Sequence, residues 1–428
     1  MGRSPYAAAL LAGGLILALT AESQTPGAIS LKDARARALA QGWDLLAAKS
    51  DLDLAEAQRT LAGALPNPQL GATFNKLTTT DLPPGTTPAG SARDTVVALT
   101  QTIEIGKRGN RIRSADAGVT SARARFEFAR ARVDAAVVKA YVAALAADAT
   151  ARIDRASANS LARSAQIAGL RFEAGEIAQV ERDQVAIAAG RFEADTRSAE
   201  AAAVSARIAL ETLLGEPNPA GQLVLADDLD QLATLGASLV ARLAAPAAAG
   251  PELEARGDVR AAAAGVEQAS ADLNLQKHLR IPDPALLVQY ERDESLPEPN
   301  SLGLGVSFTL PLLSRNAGGI RAAEVAQAVS QRELAQARAR AQAEAAAARA
   351  SFGAAQQRRA LVHDRLLPQA VQVQETVAFA YEKGGASLLE LLEAERNLND
   401  LRLAALNTQA EAVSAAADLA AAFGEVLE

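Results

Sequence analysis

Two glutamates near the end of the chain have the type and spacing to act on ions. Glu390 and Glu393 lie three residues apart, so on a helix both project from one face. They follow the glycine pair Gly384-Gly385, which predicts a turn just before that helix. If copies of the chain surround a pore, this acidic pair forms rings that favour cations. A solvated acidic helix face fits the same pattern, and both interpretations remain open at this point.

The remaining residues offer little for catalysis or metal binding. The chain has no cysteine and only two histidines, His278 and His363, which are too few for a histidine-rich centre. No catalytic triad or phosphate-binding loop stands out, so we expect no catalytic residue, no cofactor and no metal site. The net charge of -7 gives no general basis for binding nucleic acid. Composition therefore points away from enzymes and nucleic-acid-binding proteins.

The composition predicts long, closely packed helices. Of the 428 residues, 104 are alanine and only 14 are aromatic, which is too little bulk for a thick hydrophobic core. Alanine favours the helix, and its small side chain lets helices approach closely. We predict one long helix over about residues 107–170 and another over about residues 320–379, with Pro368 interrupting the second. At 1.5 Å per residue, each would be a rod of roughly 90 Å.

The first long helix carries two apolar stripes, each repeating every seven residues. One stripe consists of Ile112, Val119, Phe126, Val133, Ala140 and Ala147, and the other of Ala117, Ala124, Ala131, Val138 and Leu145. A seven-residue apolar repeat is the seam of a coiled coil. A helix with two seams can pack against a neighbour on each side, so the pattern predicts a closed ring of helices, which is a tube.

The chain is internally duplicated. Phe172 to Gly175 is echoed by Tyr381 to Gly384, and Leu214 to Glu216 by Phe423 to Glu425, both at an offset of 209 residues. We predict a first repeat over residues 24–216, a connector over 217–250 and a second repeat over 251–428. Each repeat is expected to contain a helix, a β-hairpin and two long helices. The two helix-to-helix turns should then lie at the opposite end from the strands.

The predicted strands alternate apolar residues with small or polar ones. The residues on the apolar parity are Val97, Leu99 and Ile103 in the first repeat, and Leu302, Leu304, Val306, Phe308 and Leu310 in the second. Such a face meets lipid in a transmembrane β-barrel, although half-buried sheets of soluble proteins alternate in the same way. Four strands cannot close a barrel, whose interior is just filled at about eight strands. In a membrane, several copies of the chain would have to share one barrel.

The first residues resemble an export signal. Residues 7–19 form an apolar run that is too short for the ~20 residues of a membrane-spanning helix, and small residues follow at Ala21 and Ser23. We therefore expect residues 1–23 to be a signal peptide. An exported protein with no later apolar run of that length is either soluble in the periplasm or inserted without membrane-spanning helices.

Taken together, these features resemble the outer membrane efflux protein family of TolC-type outer membrane factors. The similarity covers about Leu31 to Glu428 and includes the duplication, Pro66-Asn67-Pro68 before the first strand, and the segment from Tyr381 to Glu395. The resemblance implies a mainly α fold with a membrane β-barrel. In that fold, three duplicated chains form a homotrimer whose 12-stranded outer membrane β-barrel continues into a 12-helix periplasmic α-barrel. Thr100 to Arg108 resembles the cobalt-zinc-cadmium (CzcC-like) heavy-metal efflux branch.

The resemblance also implies the function. The expected protein is a passive exit channel in the outer membrane of a Gram-negative bacterium, with most of its mass in the periplasm. It would work with a periplasmic adaptor (membrane fusion) protein and an inner-membrane pump of the RND type, and its cargo could be heavy-metal cations. A multidrug or type I secretion exit duct is an alternative. A soluble periplasmic coiled-coil structural protein is an alternative of a different class.

Site residues follow from the same resemblance. The periplasmic aperture would be lined by Glu390, Glu393 and Glu181, the last of which matches Glu390 in the first repeat. The adaptor would dock at the hairpin tips, formed by Phe172, Glu173, Gly175, Tyr381, Gly384 and Gly385. Simple turn chemistry, in which glycine ends a helix, also explains the tip glycines, and the two explanations are compatible.

Overall fold

The computed structural model describes residues 28–77, 80–81, 84–86, 94–245, 251–294, 296–383 and 385–427. The predicted signal peptide and the tip residue Gly384 lie outside the described residues, as does most of the loop after the first strand. Within the described part, the helices are α1 (Leu31–Gln41), α2 (Trp43–Ala62), α3 (Lys107–Glu173), α4 (Gln179–Leu213), α5 (Leu229–Leu232), α6 (Ala237–Ala244), α7 (Pro251–Glu254), α8 (Gly257–His278), α9 (Ala317–Arg359), α10 (Leu367–Glu382) and α11 (Leu388–Ala422).

Four strands form one antiparallel sheet. They are β1 (Gln69–Asn75), β2 (Asp94–Thr102), β3 (Ala285–Asp293) and β4 (Asn300–Ser307), and they pair in chain order. The register aligns the apolar parity of all four strands, as in the row Leu70, Leu99, Val288 and Leu304. Because side chains alternate between faces, these rows give the sheet one continuous apolar face.

Three residues predicted on the lipid-facing strands lie beyond the strand ends. Phe308 and Leu310 follow the end of β4 at Ser307. The last residue pair of the β3–β4 ladder is Ala285 with Ser307, and the residue before Ala285 is Pro284, which has no backbone N–H to continue the ladder. Ile103 also lies one residue beyond β2, but its N–H donates to the carbonyl of Pro284 at 2.9 Å.

The long helices separate the sheet from the helix-to-helix turns. α3 runs through 67 residues without a break, which is about 100 Å at 1.5 Å per residue. Its counterpart is α9, followed by a π-helical segment (Ala360–Leu366) and then α10. Pro368 lies at the start of α10. A proline removes an N–H and crowds the preceding turn, so the wider π turn directly before it accommodates the ring.

The two heptad stripes of α3 are not equally buried. The second stripe, which includes Ala117, Ala124 and Val138, is buried within the chain. The first stripe, which includes Ile112 and Val119, is only half-buried. The sequence predicted two seams, and the fold uses the second one for contacts within the chain.

The helices pack side by side in two rows of four. Near the sheet the order is α2, α3, α8 and α9, and toward the turns it is α4, α3, α11 and α10. Between the rows, α1, α5, α6 and the ends of α4 and α11 surround the main hydrophobic core. Tyr141 is fully buried there, and its hydroxyl lies 2.9 Å from both the Ile29 carbonyl and the Asp227 carboxylate. Among the described helices, none combines the length and apolar character needed to cross a membrane.

Candidate functional site

The second return helix, α11, begins with a capping box that includes Glu390. The Ser387 hydroxyl accepts a hydrogen bond from the Glu390 N–H at 3.3 Å, and the Glu390 carboxylate accepts from the Ser387 N–H at 2.6 Å. This arrangement satisfies backbone N–H groups that have no partner within the helix. The hydrogen bonds from the backbone and hydroxyl of Ser387 hold the pKa of Glu390 below its ordinary value. Glu390 is therefore an anion at neutral pH.

The predicted aperture residues are exposed. Glu390 and Glu393 lie one turn apart on α11, and Glu181 lies at the same position of α4 as Glu390 does of α11. Ala178 precedes α4 where Ser387 precedes α11, so the first repeat has no side-chain cap. The carboxylate of Glu181 is thus not part of a capping box, whereas that of Glu390 is. Both return helices nevertheless begin with an exposed acid.

The first hairpin turn is a Schellman motif. Gly175 adopts a positive φ of 77°, its N–H donates to the Phe172 carbonyl at 2.9 Å, and the Glu176 N–H donates to the Arg171 carbonyl at 2.9 Å. The left-handed conformation explains why glycine occupies this position. The guanidinium of Arg182 lies 4.5 Å from the centre of the Phe172 ring and fixes this side chain beside the turn. Glu173, the last residue of α3, is exposed.

The second hairpin turn has one hydrogen bond of the same kind and contacts the first. The Gly385 N–H donates to the Ala380 carbonyl at 2.8 Å, which is the outer hydrogen bond of a Schellman motif. Tyr381 extends toward the first hairpin, where its hydroxyl lies 3.5 Å from Arg171 Nη1. Arg171 also pairs with Glu176 at 3.2 Å. The two predicted tips are therefore neighbours within one chain, apart from Gly384, which lies outside the described residues.

Sequence reasoning missed three residues that organise this end of the molecule. Ser387 could have been found, because a serine three residues before a glutamate is the capping-box signature. Arg171 and Arg182 gave no signal, since their partners Tyr381 and Phe172 are brought close only by the hairpins. Neither arginine differs in its local sequence from the many other arginines of these helices.

Little apolar surface holds the two hairpins together near the tips. The buried cluster there is small, formed by Leu161, Ala188 and Phe192 with Leu392 packed against it from the second hairpin. A polar contact joins the hairpins further from the tips, where Ser157 Oγ donates to Asn399 Oδ1 at 2.7 Å. Regions with few buried apolar contacts open at low free-energy cost. The tips are thus the part of the helical rods best suited to movement.

At the other end of the molecule, the apolar face of the sheet is the more exposed face. The side chains of Val97, Leu99, Val288 and Leu304 are exposed, while their sequence neighbours Ala98, Gln289, Gly303 and Gly305 are partly covered. Leu304 retains 80% of its accessible surface and Leu302 retains 73%. A soluble half-buried sheet would show the opposite arrangement, because it buries its apolar parity.

The two histidines and the acids form no metal centre in the part of the chain that is described. No three His, Cys, Asp or Glu side chains are grouped there closely enough to hold an ion. His278 Nδ1 lies 2.7 Å from the Asn274 carbonyl at the end of α8. His363 lies in the π-helical segment, with Nδ1 3.0 Å from the carboxylate of its neighbour Asp364.

Comparison with known proteins identifies relatives along nearly the whole chain. A profile of the family described as outer membrane efflux protein matches residues 34–216 and 250–425. The cobalt-zinc-cadmium resistance protein CzcC of Cupriavidus metallidurans is 25% identical over 395 residues, which cover 92% of this chain and 89% of that protein.

Solved structures share the fold. CusC superposes with a TM-score of 0.75 at 18% identity, covering 92% of each chain. The CmeC outer membrane channel of Campylobacter jejuni gives a TM-score of 0.73 at 18% identity, covering 93% of this chain and 86% of that one. The duplicated hairpins and the four-stranded sheet are therefore arranged as in these proteins.

Proposed function

The chain belongs to the outer membrane efflux protein family, and from this premise we propose how it conducts, what it carries and where its partners bind. The protein is an outer membrane efflux channel of a tripartite system, located in the outer membrane of a Gram-negative bacterium with a large periplasmic helical part. It acts as a passive duct and catalyses no reaction. An inner-membrane pump supplies the energy, and an adaptor protein joins the two.

The observation that carries this function is the exposed apolar face of the sheet. Rows such as Leu70, Leu99, Val288 and Leu304 run across all four strands, and no other described element covers them. Removing such a surface from water is favourable in proportion to its area. Outer membrane lipid provides that environment, while the long helices carry the hairpin tips about 100 Å away.

Three copies of the chain complete the channel in this proposal. One chain supplies four strands, which are too few to enclose a lumen, whereas three chains supply twelve. The apolar stripe of α3 that is only half-buried, which includes Ile112 and Val119, and the outer helices of each row are available for contacts within the tube. The trimer is thus a shared barrel continued by a ring of twelve helices.

We assign heavy-metal cations as the cargo. The similarity to the cobalt-zinc-cadmium resistance protein CzcC supports this assignment. The exposed acids Glu390, Glu393 and Glu181 are consistent with it, because threefold symmetry would arrange each of them as a ring that favours cations at the aperture. An RND-type pump is the proposed energy source. A multidrug or type I secretion duct would have the same channel architecture but would work with a different pump.

The adaptor is proposed to dock at the tips. Phe172, Glu173, Gly175, Tyr381 and Gly385 lie together at the far end of the hairpins from the sheet, where the inner-membrane partners would approach. Gly385 is not among the glycines for which the structure shows a positive φ, and among the described atoms a Cβ there would meet the Ala380 carbonyl at 3.5 Å, an ordinary van der Waals contact. Gly385→Val therefore tests docking rather than folding. Unchanged adaptor co-purification with this variant would argue against docking at the tip.

Cell fractionation tests the channel function most directly. A Gram-negative cell expressing the full-length chain is expected to contain the protein in the outer membrane, in a form that urea does not extract. The purified trimer should then conduct ions in a planar bilayer. Recovery from the soluble periplasm would instead support the coiled-coil structural protein and would end the channel proposal.

A further inference from the structure

A cavity of about 290 Å³ lies where α6, α9 and α11 meet. Its walls are largely apolar, and Leu232, Val240, Val413 and Leu427 are each buried. Leu427, near the C-terminus, forms one wall. The volume approaches the lower end of the range for small-molecule sites. The cavity is also about 28 Å from Glu390, since Gln409 in its lining lies nineteen residues further along α11.

One cation in the cavity lining has a buried nitrogen without a partner among the described residues. Arg359 is the last residue of α9, and its Nε is buried without a hydrogen bond. No ion pair of Arg359 occurs among the residues that the structure describes. The adjacent Arg358 differs in this respect, because it pairs with Glu411 at 2.7 Å. Arg349, which does not line the cavity, donates through Nε to the Leu243 carbonyl at 2.8 Å, although its Nη2 is also buried without a partner in the described part of the chain. A buried donor without an acceptor is costly, so an anion in the cavity would stabilise the fold.

The other polar groups of the lining limit the kind of anion that fits. Gln356 and Gln409 are neutral amides, and Gln409 Nε2 donates to Asp230 Oδ1 at 2.7 Å. Arg359 is therefore the single cation among the described residues of the lining, and Asp230 adds a negative charge behind Gln409. A doubly charged headgroup such as phosphate would be poorly neutralised here. A carboxylate suits one guanidinium, with which it can form two parallel hydrogen bonds.

We propose that this cavity is a binding site for a medium-chain carboxylate. The carboxylate pairs with Arg359, and the alkyl chain packs against Leu232, Val240 and Val413. The apolar walls remove the chain from water, while the guanidinium selects the acid over an alcohol or amine of equal length. The site is separate from the aperture and the tips, so it does not depend on the proposed cargo or adaptor.

Titration calorimetry with sodium octanoate tests the proposal. The full-length trimer is first exchanged from detergent into amphipol, because detergent tails would compete for the cavity. We expect one octanoate per chain, with octanol and octylamine binding at least tenfold more weakly. Arg359→Gln should weaken octanoate binding at least tenfold, and Ala416→Phe, which fills the cavity, should abolish it. Arg358→Gln is the matched control and should bind as the parent does.

Two results would overturn the proposal. One is equal octanoate affinity in the parent and Arg359→Gln, which would mean that the guanidinium does not hold the acid. The other is absence of binding to the parent trimer, which would mean that the cavity is closed or is filled by a neighbouring copy. If Arg359→Gln fails to assemble, Arg359→Lys is measured instead, because lysine retains the positive charge. Loss of the preference for octanoate over octanol in this variant would contradict selection of the acid by a positive charge at this position.

Discussion

Glu390 combines a local structural role with an exposed charge. Its carboxylate completes the capping box with Ser387, which accounts for its presence without any channel. The same carboxylate is exposed and remains ionised, so its charge is available for the proposed role at the aperture. Glu393 is exposed on the same helix but takes part in no capping box, which makes it the less ambiguous member of the pair.

Removing the charge while preserving the cap separates these roles. Glutamine can replace glutamate in a capping box, so Glu390→Gln with Glu393→Gln should leave α11 intact. Two charges are lost per chain and six per trimer, and the cation preference should weaken because the acid rings become neutral. The reversal potential under a salt gradient in a planar bilayer should move toward zero. An unchanged reversal potential would exclude these acids from the constriction.

The lowered pKa of Glu390 predicts a pH dependence. Above the ordinary pKa of a glutamate, the Glu390 carboxylate is ionised and its capping hydrogen bonds are fully formed. The charge and the stability that it contributes are lost only as the pH falls through the lowered pKa of the folded protein. In a Glu393→Gln background, Ser387→Ala removes the hydroxyl hydrogen bond and raises the pKa of Glu390. Cation preference should then be lost at a higher pH than with Ser387 present. The reversal potential measured against pH reports this shift, and coincident curves would contradict it.

The Ser387→Ala variant should also be less stable, by about 1 kcal/mol for the lost N-cap. Its thermal unfolding midpoint provides the internal check that the substitution acted at the cap. If the unfolding midpoint falls while the pH dependence of the reversal potential is unchanged, the cap stabilises α11 but does not affect ion selection.

At the scale of elements, the strands were predicted well where the ladder is regular and less well at its ends. Alternation identified the apolar parity of β2 and β4, and the register, with β3 between them, keeps that parity on one face. The prediction extended β4 too far, to Phe308 and Leu310, because apolar alternation continues beyond the last residue pair. Strand length depends on hydrogen bonding to a partner, and here Pro284 ends that partner's ladder.

Adjacent residues of β3 offer a matched test of which face meets lipid. Val288 is on the exposed apolar face, and Gln289 is on the opposite face. Val288→Arg should destabilise the membrane form by about 2–4 kcal/mol if the side chain lies near the bilayer midplane, while Gln289→Arg faces the lumen and should be tolerated. The urea-resistant trimer recovered from outer membranes measures both. Equal recovery of the two variants would contradict the assignment of the faces.

At the scale of the whole molecule, the rows of helices have free edges. Within the described residues, α2 packs laterally on α3, and α9 packs laterally on α8, so each ends its row. Both end helices expose apolar residues, such as Leu54 on α2 and Val325 and Val329 on α9. A head-to-tail contact between α2 of one copy and α9 of the next would cover both edges and close a ring.

Engineered disulfides test that arrangement cleanly, because the chain contains no cysteine. Leu54→Cys combined with Val325→Cys or with Val329→Cys should yield covalent trimers on oxidation, since the two edges meet between copies and a disulfide forms when Cα atoms are about 4–7 Å apart. Leu45→Cys with Val329→Cys is the control, because Leu45 is buried within its own chain. Non-reducing gels report the result, and monomeric product from both test pairs would reject this closure.

The sequence by itself determined the duplication, the helix and strand types, both heptad stripes and the acidic pair, because periodicity and spacing are written locally in the chain. It did not determine which stripe of α3 is buried, or that Arg171 of one hairpin reaches Tyr381 of the other. The buried Nε of Arg359, which has no hydrogen bond among the described residues of its apolar cavity, was equally invisible. These features depend on residues far apart in the chain, such as Arg171 and Tyr381, meeting in space. Whether a side chain is buried or has a hydrogen-bonding partner depends on which residues pack against it, and only the tertiary structure brings those residues together.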